Sequence, residues 1–188
     1  SKVRDFEIGD AVYGMDMRPR TASLAELTRI DQKRIAKKPP SLTFQQAASM
    51  PLAAQTALQG LRKGKAEAGK SVLIIGASGG VGTFAVQIAK AMGLHVTGVC
   101  SGRNADFARE LGADEIIDYT QGDYRHTAGS FDLVFDVTSY ESPRTCDALI
   151  AEAAWFISTG GDTPSTLITP FYRVLGQHCG TGVVESGT

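Results

Sequence analysis

The stretch that most constrains the fold runs from Val72 to Cys100, VLIIGASGGVGTFAVQIAKAMGLHVTGVC. It opens with a short, largely β-branched apolar run, which is typical of a parallel strand buried on both faces. Gly76, Gly79 and Gly82 follow at a G-x-x-G-x-x-G spacing, and apolar residues then recur at helical intervals over Thr83–Met92. A second apolar run ends the stretch. The pattern predicts a strand, a glycine-rich turn, a helix and a second strand.

The glycine turn predicts a phosphate site. The first glycine permits a tight turn, and the later ones let the backbone approach a pyrophosphate and let the helix pack close to the sheet. The N-terminus of the helix adds unpaired N–H groups and a partial positive charge. An ordinary strand-to-helix turn is the competing interpretation. The candidate cofactor contacts in this turn are Gly76, Ser78, Gly79, Gly80, Val81 and Gly82.

Length and composition are those of a globular protein. The chain has 188 residues, 43% of them hydrophobic, and a net charge of −1. No basic stripe predicts a nucleic-acid partner, and no apolar run approaches the roughly 20 residues that span a bilayer. Three widely spaced cysteines argue against a disulfide framework and favour a reducing compartment. We expect the cytoplasm, and a mitochondrial form stays open because a targeting segment would lie upstream of Ser1.

The glycine turn is preceded by a helical region, Ser41–Gly64. Ser41 or Thr43 is expected to cap its first helix, with Gln45 or Gln46 as the capping-box partner. Pro51 is expected to end that helix, since proline lacks the N–H donor of a helix interior. The region therefore predicts two helices.

Strands and helices are expected to continue in alternation after the turn. We predict a helix that is capped by Ser101 or Asn104 and extends to Leu111. Further elements are the strands Glu115–Asp118 and Phe131–Val137, a helix Arg144–Ala154 and a strand Trp155–Ser158. This order predicts the α/β class, with a doubly wound, Rossmann-like parallel sheet that binds ligands at the carboxyl ends of its strands.

The end of the second strand favours NADP(H) over NAD(H). NAD-selective folds place Asp or Glu there to accept from the ribose 2′-OH, whereas this chain has Cys100, Ser101, Gly102 and Arg103. Ser101 can hydrogen-bond a 2′-phosphate, and the Arg103 guanidinium can neutralise it. The alternative is that Arg103 is a solvated residue in front of a helix.

Several collinear stretches resemble the medium-chain dehydrogenase/reductase superfamily, in its zinc-free quinone oxidoreductase branch. They are FEIGDAVYG, LTFQQAASMPLAAQTALQGL, AGKSVLIIGASGGVGTFAVQIAKAMG, RELGADEIIDY and FDLVFDV. The later STLITPF, together with GASGGVGTFAVQ and HVTGVCS, is similar to the reticulon-interacting oxidoreductase subgroup.

The resemblance implies a domain organisation. Residues 1–40 would be the C-terminal part of a GroES-like β domain, 41–64 the linking helices, and 65–188 an NADP(H)-binding Rossmann domain. Because family members are longer, the chain is expected to be truncated at both ends. The family's dimerisation strands would lie beyond Thr188, and a homodimer is the oligomer implied for the full-length protein.

The resemblance also implies site residues. Tyr119 matches a position near the 2′-phosphate, with a tyrosine packed on the sheet edge as the alternative. Thr56 matches a threonine beside the nicotinamide and is the candidate catalytic residue, with an ordinary helical threonine as the alternative. The nicotinamide half of the cofactor would lie beside the ends of the last two predicted strands, which carry Val137, Thr138, Ser158 and Gly160.

No metal is expected. Zinc-dependent relatives place a cysteine just before the Thr56 region, where this chain has Met50, Pro51 and Leu52, and catalytic zinc needs three protein ligands. Asp136 is expected to accept hydrogen bonds from amides at the end of its strand.

The function implied by the resemblance is NADPH-dependent hydride transfer to a small-molecule electron acceptor, a quinone or another electron-poor enone, without zinc. One alternative is an enoyl-thioester reductase of the same superfamily. Another is a cofactor-binding scaffold with little turnover, because no general acid is evident in the sequence.

Overall fold

The glycine-rich stretch lies at the centre of a sheet in the second of two units. A computed structural model describes residues 3–16, 25–126, 129–159 and the backbone of 169–172. The chain divides into the compact units Ser1–Gln55 and Thr56–Thr188, and the division falls within helix α1, Phe44–Lys63. The predicted domain boundaries near residues 40 and 64 stay a prediction.

The first unit contains a small antiparallel ribbon. Strand β1, Val12–Gly14, pairs with β2, Ile35–Lys37, with Tyr13 opposite Ala36. An ion pair of 2.9 Å joins Lys37 Nζ to Asp10 Oδ2 beside the ribbon.

Helix α1 begins with the predicted capping box. The Thr43 hydroxyl accepts from the Gln46 N–H at 3.2 Å, and Gln46 Oε1 accepts from the Thr43 N–H at 2.9 Å. The predicted break at Pro51 is wrong, because one helix of 20 residues runs through it. Proline removes a single helical hydrogen bond, and the alanine, glutamine, methionine and leucine residues around it favour the helix.

The second unit is built on a six-stranded sheet in the order β5-β4-β3-β6-β7-β8. Its strands are β3 Ser71–Ile75, β4 His95–Cys100, β5 Glu115–Asp118, β6 Phe131–Asp136, β7 Ile150–Ser158 and β8 Thr169–Tyr172. The first five are parallel, and β8 is antiparallel to β7. The chain winds from β3 outward to β5 and returns to β6 beside β3, so the predicted doubly wound sheet is confirmed.

The two faces of this sheet are covered differently. Val72 and Ile74 pack in one buried cluster with residues of α1 and of helix α2, Gly80–Ala91. Leu73 and Ile75 point into the opposite cluster, which contains residues of two 3₁₀ turns, Tyr124–His126 and Asp147–Leu149. Within the described residues, the turn Asp147–Leu149 therefore stands where the helix Arg144–Ala154 was expected.

The predicted helix over Arg144–Ala154 is wrong, because strand β7 already begins at Ile150. Alanine-rich sequence favours a helix in isolation, but here it pairs with β6. The register passes from Phe131 opposite Ile150 to Leu133 opposite Trp155, so β7 advances five residues while β6 advances two, and Ala153 within this stretch has a φ of 62°. Such a bulge disguises the alternation expected of a strand.

After β4, Asn104 stands at the predicted N-cap position but does not form the expected side-chain cap. A 3₁₀ turn, Gly102–Asn104, precedes the short helix α3, Ala105–Glu110, and neither Ser101 nor Asn104 makes a side-chain cap. Asn104 instead donates from Nδ2 to the Ser78 hydroxyl at 3.0 Å. No α-helix in the described part of the chain is long and apolar enough to cross a bilayer.

Candidate cofactor site

The turn between β3 and α2 presents bare backbone. Gly76 has a φ of 87°, which L side chains rarely adopt, and a Cβ there would lie 2.5 Å from Thr138 Cγ2. A Cβ on Gly82 would lie 2.0 Å from the Gly76 carbonyl oxygen. Gly79 precedes the helix without a side-chain cap. The first amides of α2 therefore face open space at the positive end of the helix dipole.

A cavity of about 910 Å³ opens in front of this turn. Its floor is formed by residues at the carboxyl ends of the strands, such as Ile75 and Cys100. Most of the predicted cofactor residues line it together: Gly76, Ser78, Gly79, Gly80, Val81, Ser101, Arg103, Tyr119, Val137 and Thr138. The volume lies within the range of small-molecule sites.

Two of the predicted residues lie elsewhere, and a third is not described. Gly82 is buried inside α2 against the turn, so it brings the helix close to the sheet rather than lining the cavity. Ser158 is joined to the Ser139 hydroxyl at 3.1 Å and is not part of the cavity lining. Gly160 lies outside the described residues.

Thr56 is half-buried on α1 and is likewise not among the residues that line the cavity. No contact within the described part of the chain assigns it a catalytic role, and that role stays a prediction.

Arg103 is an exposed cation on the cavity wall. It forms no hydrogen bond or ion pair with any other residue that the structure describes. Tyr119, also on the wall, is 54% exposed. A guanidinium and a phenol at the end of β4 and β5 can receive a phosphate.

A nearby carboxylate was missed at the level of the sequence. Asp118, at the end of β5, lies beside Gly102, although it does not line the cavity. Hydrogen bonds from the Thr120 hydroxyl and amide, and from the Gly102 amide, hold the pKa of Asp118 below its ordinary value. Its oxygens are thus engaged by the loop rather than directed at a ribose. The neighbouring strand supplies this carboxylate, so the end of β4 alone does not reveal it.

The loop after β6 is shaped by Asp136, which is fully buried. As predicted, its carboxylate accepts from strand-end amides: those of Thr138 at 2.9 Å, Ser139 at 3.0 Å and Glu141 at 2.9 Å. Ser139 has a φ of 58° and donates from its hydroxyl to the Thr159 carbonyl at 2.7 Å. These bonds hold Val137 and Thr138 at the cavity.

A cluster around Glu141 forms another part of the wall, and the sequence did not indicate it. The Glu141 side chain is 5% exposed and accepts from Arg125 Nη2 at 2.6 Å and from Arg125 Nε at 3.0 Å. The Tyr124 and Thr145 hydroxyls donate to the same carboxylate at 2.7 and 2.9 Å. Buried Cys146 lies beside it, with Sγ at 3.8 Å.

The protonation states in this cluster are set by burial and by the Arg125–Glu141 pair. Burial acts to raise the pKa of Glu141, but hydrogen bonds from Arg125, Tyr124 and Thr145 outweigh it and hold that pKa below its ordinary value. Burial and the bond to Glu141 raise the pKa of Tyr124 far above its ordinary value. Burial, assisted by the charge of Glu141, raises the pKa of the Cys146 thiol to about 12. Glu141 is therefore a carboxylate that faces neutral donors and one cation.

A metal site would need several donor side chains close together among the described residues. Within them, no group of three or more His, Cys, Asp or Glu side chains is arranged to hold a metal ion. His95 lies 3.5 Å from an Asp114 oxygen and 3.4 Å from a Glu115 oxygen, at the amino end of β4. This position is at the opposite end of the strands from the cavity. We derive no step through a metal.

Comparison with known proteins identifies relatives along most of the chain. The mitochondrial NAD(P)H oxidoreductase RTN4IP1 of Mus musculus is 40% identical over 177 residues, which cover 90% of this chain and 43% of that protein. The chloroplastic NADPH-dependent alkenal/one oxidoreductase of Arabidopsis thaliana is 38% identical over 144 residues, 72% of this chain and 37% of that protein. The chain thus spans less than half the length of either relative.

A solved structure matches the fold. The quinone oxidoreductase from Coxiella burnetii superposes with a TM-score of 0.75 at 32% identity, over 86% of this chain and 52% of that one. A family model described as "Zinc-binding dehydrogenase" matches residues 80–183. The chain therefore belongs to the zinc-binding dehydrogenase family, among the quinone oxidoreductase relatives of the medium-chain dehydrogenase/reductase superfamily. This confirms the superfamily and the quinone oxidoreductase likeness drawn from its motifs, whereas the absence of zinc stays a prediction.

Proposed function

We propose that this chain holds NADPH for hydride transfer to a small-molecule acceptor, a quinone or an electron-poor enone, without zinc. The observation that carries the proposal is the cavity that joins the uncapped N-terminus of α2 to Arg103. The names of the relatives, a quinone oxidoreductase and an NADPH-dependent alkenal/one oxidoreductase, support the reaction class.

The residues present fit this cofactor. The amides of Gly80 and Val81 would receive the pyrophosphate, since both residues line the cavity and no side chain caps the start of the helix. Ser101, Arg103 and Tyr119 would hold the 2′-phosphate, because Arg103 has no other described partner for its charge. Val137 and Thr138 would contact the nicotinamide half. When bound, NADPH supplies the hydride, and the chain supplies position and electrostatics.

Several finer points are part of the proposal. We assign no proton donor, and Thr56 stays the candidate for a role on the substrate side. The cytoplasm, the homodimer and the partial GroES-like domain remain expectations. The names of the two relatives contain "mitochondrial" and "chloroplastic", so a mitochondrial form stays open.

The proposed binding of NADPH is tested by fluorescence titration of the chain with NADPH and with NADH. Arg103→Ala is expected to weaken NADPH roughly 10- to 100-fold, since a charge-assisted hydrogen bond contributes about 1.5–3 kcal/mol, and to leave NADH unchanged. Arg109→Ala is the matched control, because Arg109 pairs with Asp106 on α3 and does not line the cavity. Equal NADPH affinity in the Arg103 variant and the wild type would refute the assignment of Arg103.

Hydride transfer is tested by anaerobic mixing of the NADPH-loaded chain with a panel of quinones and enones. The expected result is acceptor-dependent loss of NADPH absorbance. Tight NADPH binding with no oxidation by any acceptor would overturn the enzymatic proposal and favour a cofactor-binding scaffold.

A further inference from the structure

Arg125 and Glu141 belong to loops that leave different parts of the sheet. Arg125 follows β5, and Glu141 follows β6. Strands β4 and β3 lie between them in the sheet order, so the two strand ends are about 14 Å apart at the usual spacing. The loops must therefore extend across the ends of β4 and β3, which form the cavity floor.

The two loops meet at one carboxylate. Among the residues that the structure describes, three hydrogen bonds cross between them, two from Arg125 and one from Tyr124, and each ends on Glu141. Bidentate, charge-assisted bonds are about twice as strong as neutral ones and fix the orientation of the guanidinium. We call this set of bonds the Glu141 latch.

The latch matters because little regular structure supports this wall. The adjoining 3₁₀ turns, Tyr124–His126 and Asp147–Leu149, are three residues each. Turns of this length contribute few backbone hydrogen bonds. Within its own loop Arg125 also pairs with Asp123 at 3.1 Å, and Tyr124 is buried. Among the described residues, the side-chain hydrogen bonds that tie Arg125 and Tyr124 to the loop after β6 are those to Glu141.

The wall that the latch fixes presents flat groups to the cavity. The Arg125 guanidinium lies over the Tyr124 ring at 5.3 Å from its centre, and both residues line the cavity. Tyr140, on the same lining, is 90% exposed. Planar cations and aromatic rings suit a planar, unsaturated ring.

The position of the wall indicates which ring it would receive. Tyr124 and Arg125 lie in the same loop as Tyr119, which with Arg103 forms the proposed 2′-phosphate site. That phosphate belongs to the adenosine half of NADPH. The flat ring nearest to this wall is then adenine rather than nicotinamide.

We propose that Glu141 is a positioning residue that fixes Arg125 and Tyr124 as the wall against which the adenine ring packs. This inference rests on the proposed binding of NADPH. It adds residues that specify the base of the cofactor, whereas the glycine turn and Arg103 recognise only its phosphates.

The test compares two halves of the cofactor on the intact chain. Adenosine 2′,5′-bisphosphate and reduced nicotinamide mononucleotide are titrated separately, beside NADPH itself. Glu141→Gln is expected to weaken NADPH and the adenosine bisphosphate by the same factor, roughly tenfold, and to leave the mononucleotide unchanged. Glu152→Gln is the matched control, because Glu152 is exposed on β7 and does not line the cavity.

Each outcome decides the proposal. Unchanged binding of the adenosine bisphosphate by Glu141→Gln would overturn it, and so would an equal loss for both halves, which indicates general loosening. If Glu141→Gln does not fold, Tyr124→Phe removes a single hydroxyl from the latch and is measured in the same way. A wild-type chain that binds neither NADPH nor the adenosine bisphosphate would instead overturn the proposed function itself.

Discussion

Gly82→Ala is the substitution for which the structure gives the sharpest expectation. The added Cβ would lie 2.0 Å from the Gly76 carbonyl oxygen and 2.9 Å from Ala77 Cα. Both atoms belong to the backbone of the turn, so no side chain can move aside to make room. The helix or the turn must shift, and the turn carries the proposed pyrophosphate site.

The expected loss of stability follows from two opposing effects. Overpacking typically costs about 1–3 kcal/mol, and a clash with backbone belongs at the upper end. Alanine in place of glycine returns about 1 kcal/mol of helix propensity. The net loss is about 2 kcal/mol, which for a chain of this size lowers the Tm by roughly 4–8 °C. NADPH affinity should also fall, because the amides at the start of α2 move.

Thermal unfolding and NADPH titration measure the two effects on the same samples. Gly80→Ala is the matched control for stability, because a Cβ there meets nothing within 4 Å. Its Tm should be no lower than that of the wild type. A Gly82→Ala variant that keeps both the Tm and the NADPH affinity of the wild type would refute the close contact between α2 and the turn.

Two further predictions concern charged and reactive groups. The Lys90 ion pair and then the Val96 amide hold the pKa of Asp114 below its ordinary 3.8. A pKa that is depressed by folding means that this stabilisation is present above the unfolded-state pKa and lost as the pH falls through the folded-state value. Asp114→Asn should therefore lower the Tm at neutral pH, and this loss should shrink as the pH falls below the ordinary 3.8 of the carboxyl; a loss that stays the same at every pH would contradict the ion pair. Because the pKa of the buried Cys146 thiol is raised to about 12, iodoacetamide should label Cys146 only after denaturation, and labelling of the native chain, detected by peptide mass spectrometry, would contradict this burial.

The parts of the site that the sequence predicted are local ones. The glycine turn, its strand and its helix occupy one continuous stretch, so spacing alone indicates where backbone must approach backbone. The Thr43–Gln46 capping box is local in the same sense, because its partners are three positions apart. Arg103 follows β4 directly, and its place on the cavity wall follows from the order of the elements.

The errors arise where tertiary contacts override local preference. Residues 150–154 are alanine-rich and resemble a helix, but pairing with β6 draws them into β7 through the bulge at Ala153. Pro51 was expected to end a helix, but the surrounding residues favour the helix and α1 continues beyond Pro51. In both places a local propensity of about 1–3 kcal/mol was outweighed by the rest of the element.

The Glu141 latch was beyond sequence reasoning for a different reason. Arg125 and Glu141 lie in two polar loops without periodicity, 16 positions apart. Nothing local distinguishes this glutamate from a solvated one. Only the return of the chain from β5 to β6 brings the two loops together and buries the carboxylate.

The two walls of the cavity can therefore be separated by experiment. The glycine turn binds through its backbone, and Gly82→Ala should weaken the binding of both halves of the cofactor because each half carries a phosphate. The Glu141 latch is made of side-chain hydrogen bonds, and Glu141→Gln should weaken the binding of the adenosine half alone. Arg103→Ala should discriminate more finely still, between ligands with and without the 2′-phosphate. If all three variants instead lost affinity for every ligand in the same proportion, the cavity would respond as one structural unit, and the assignment of separate subsites to these residues would be wrong.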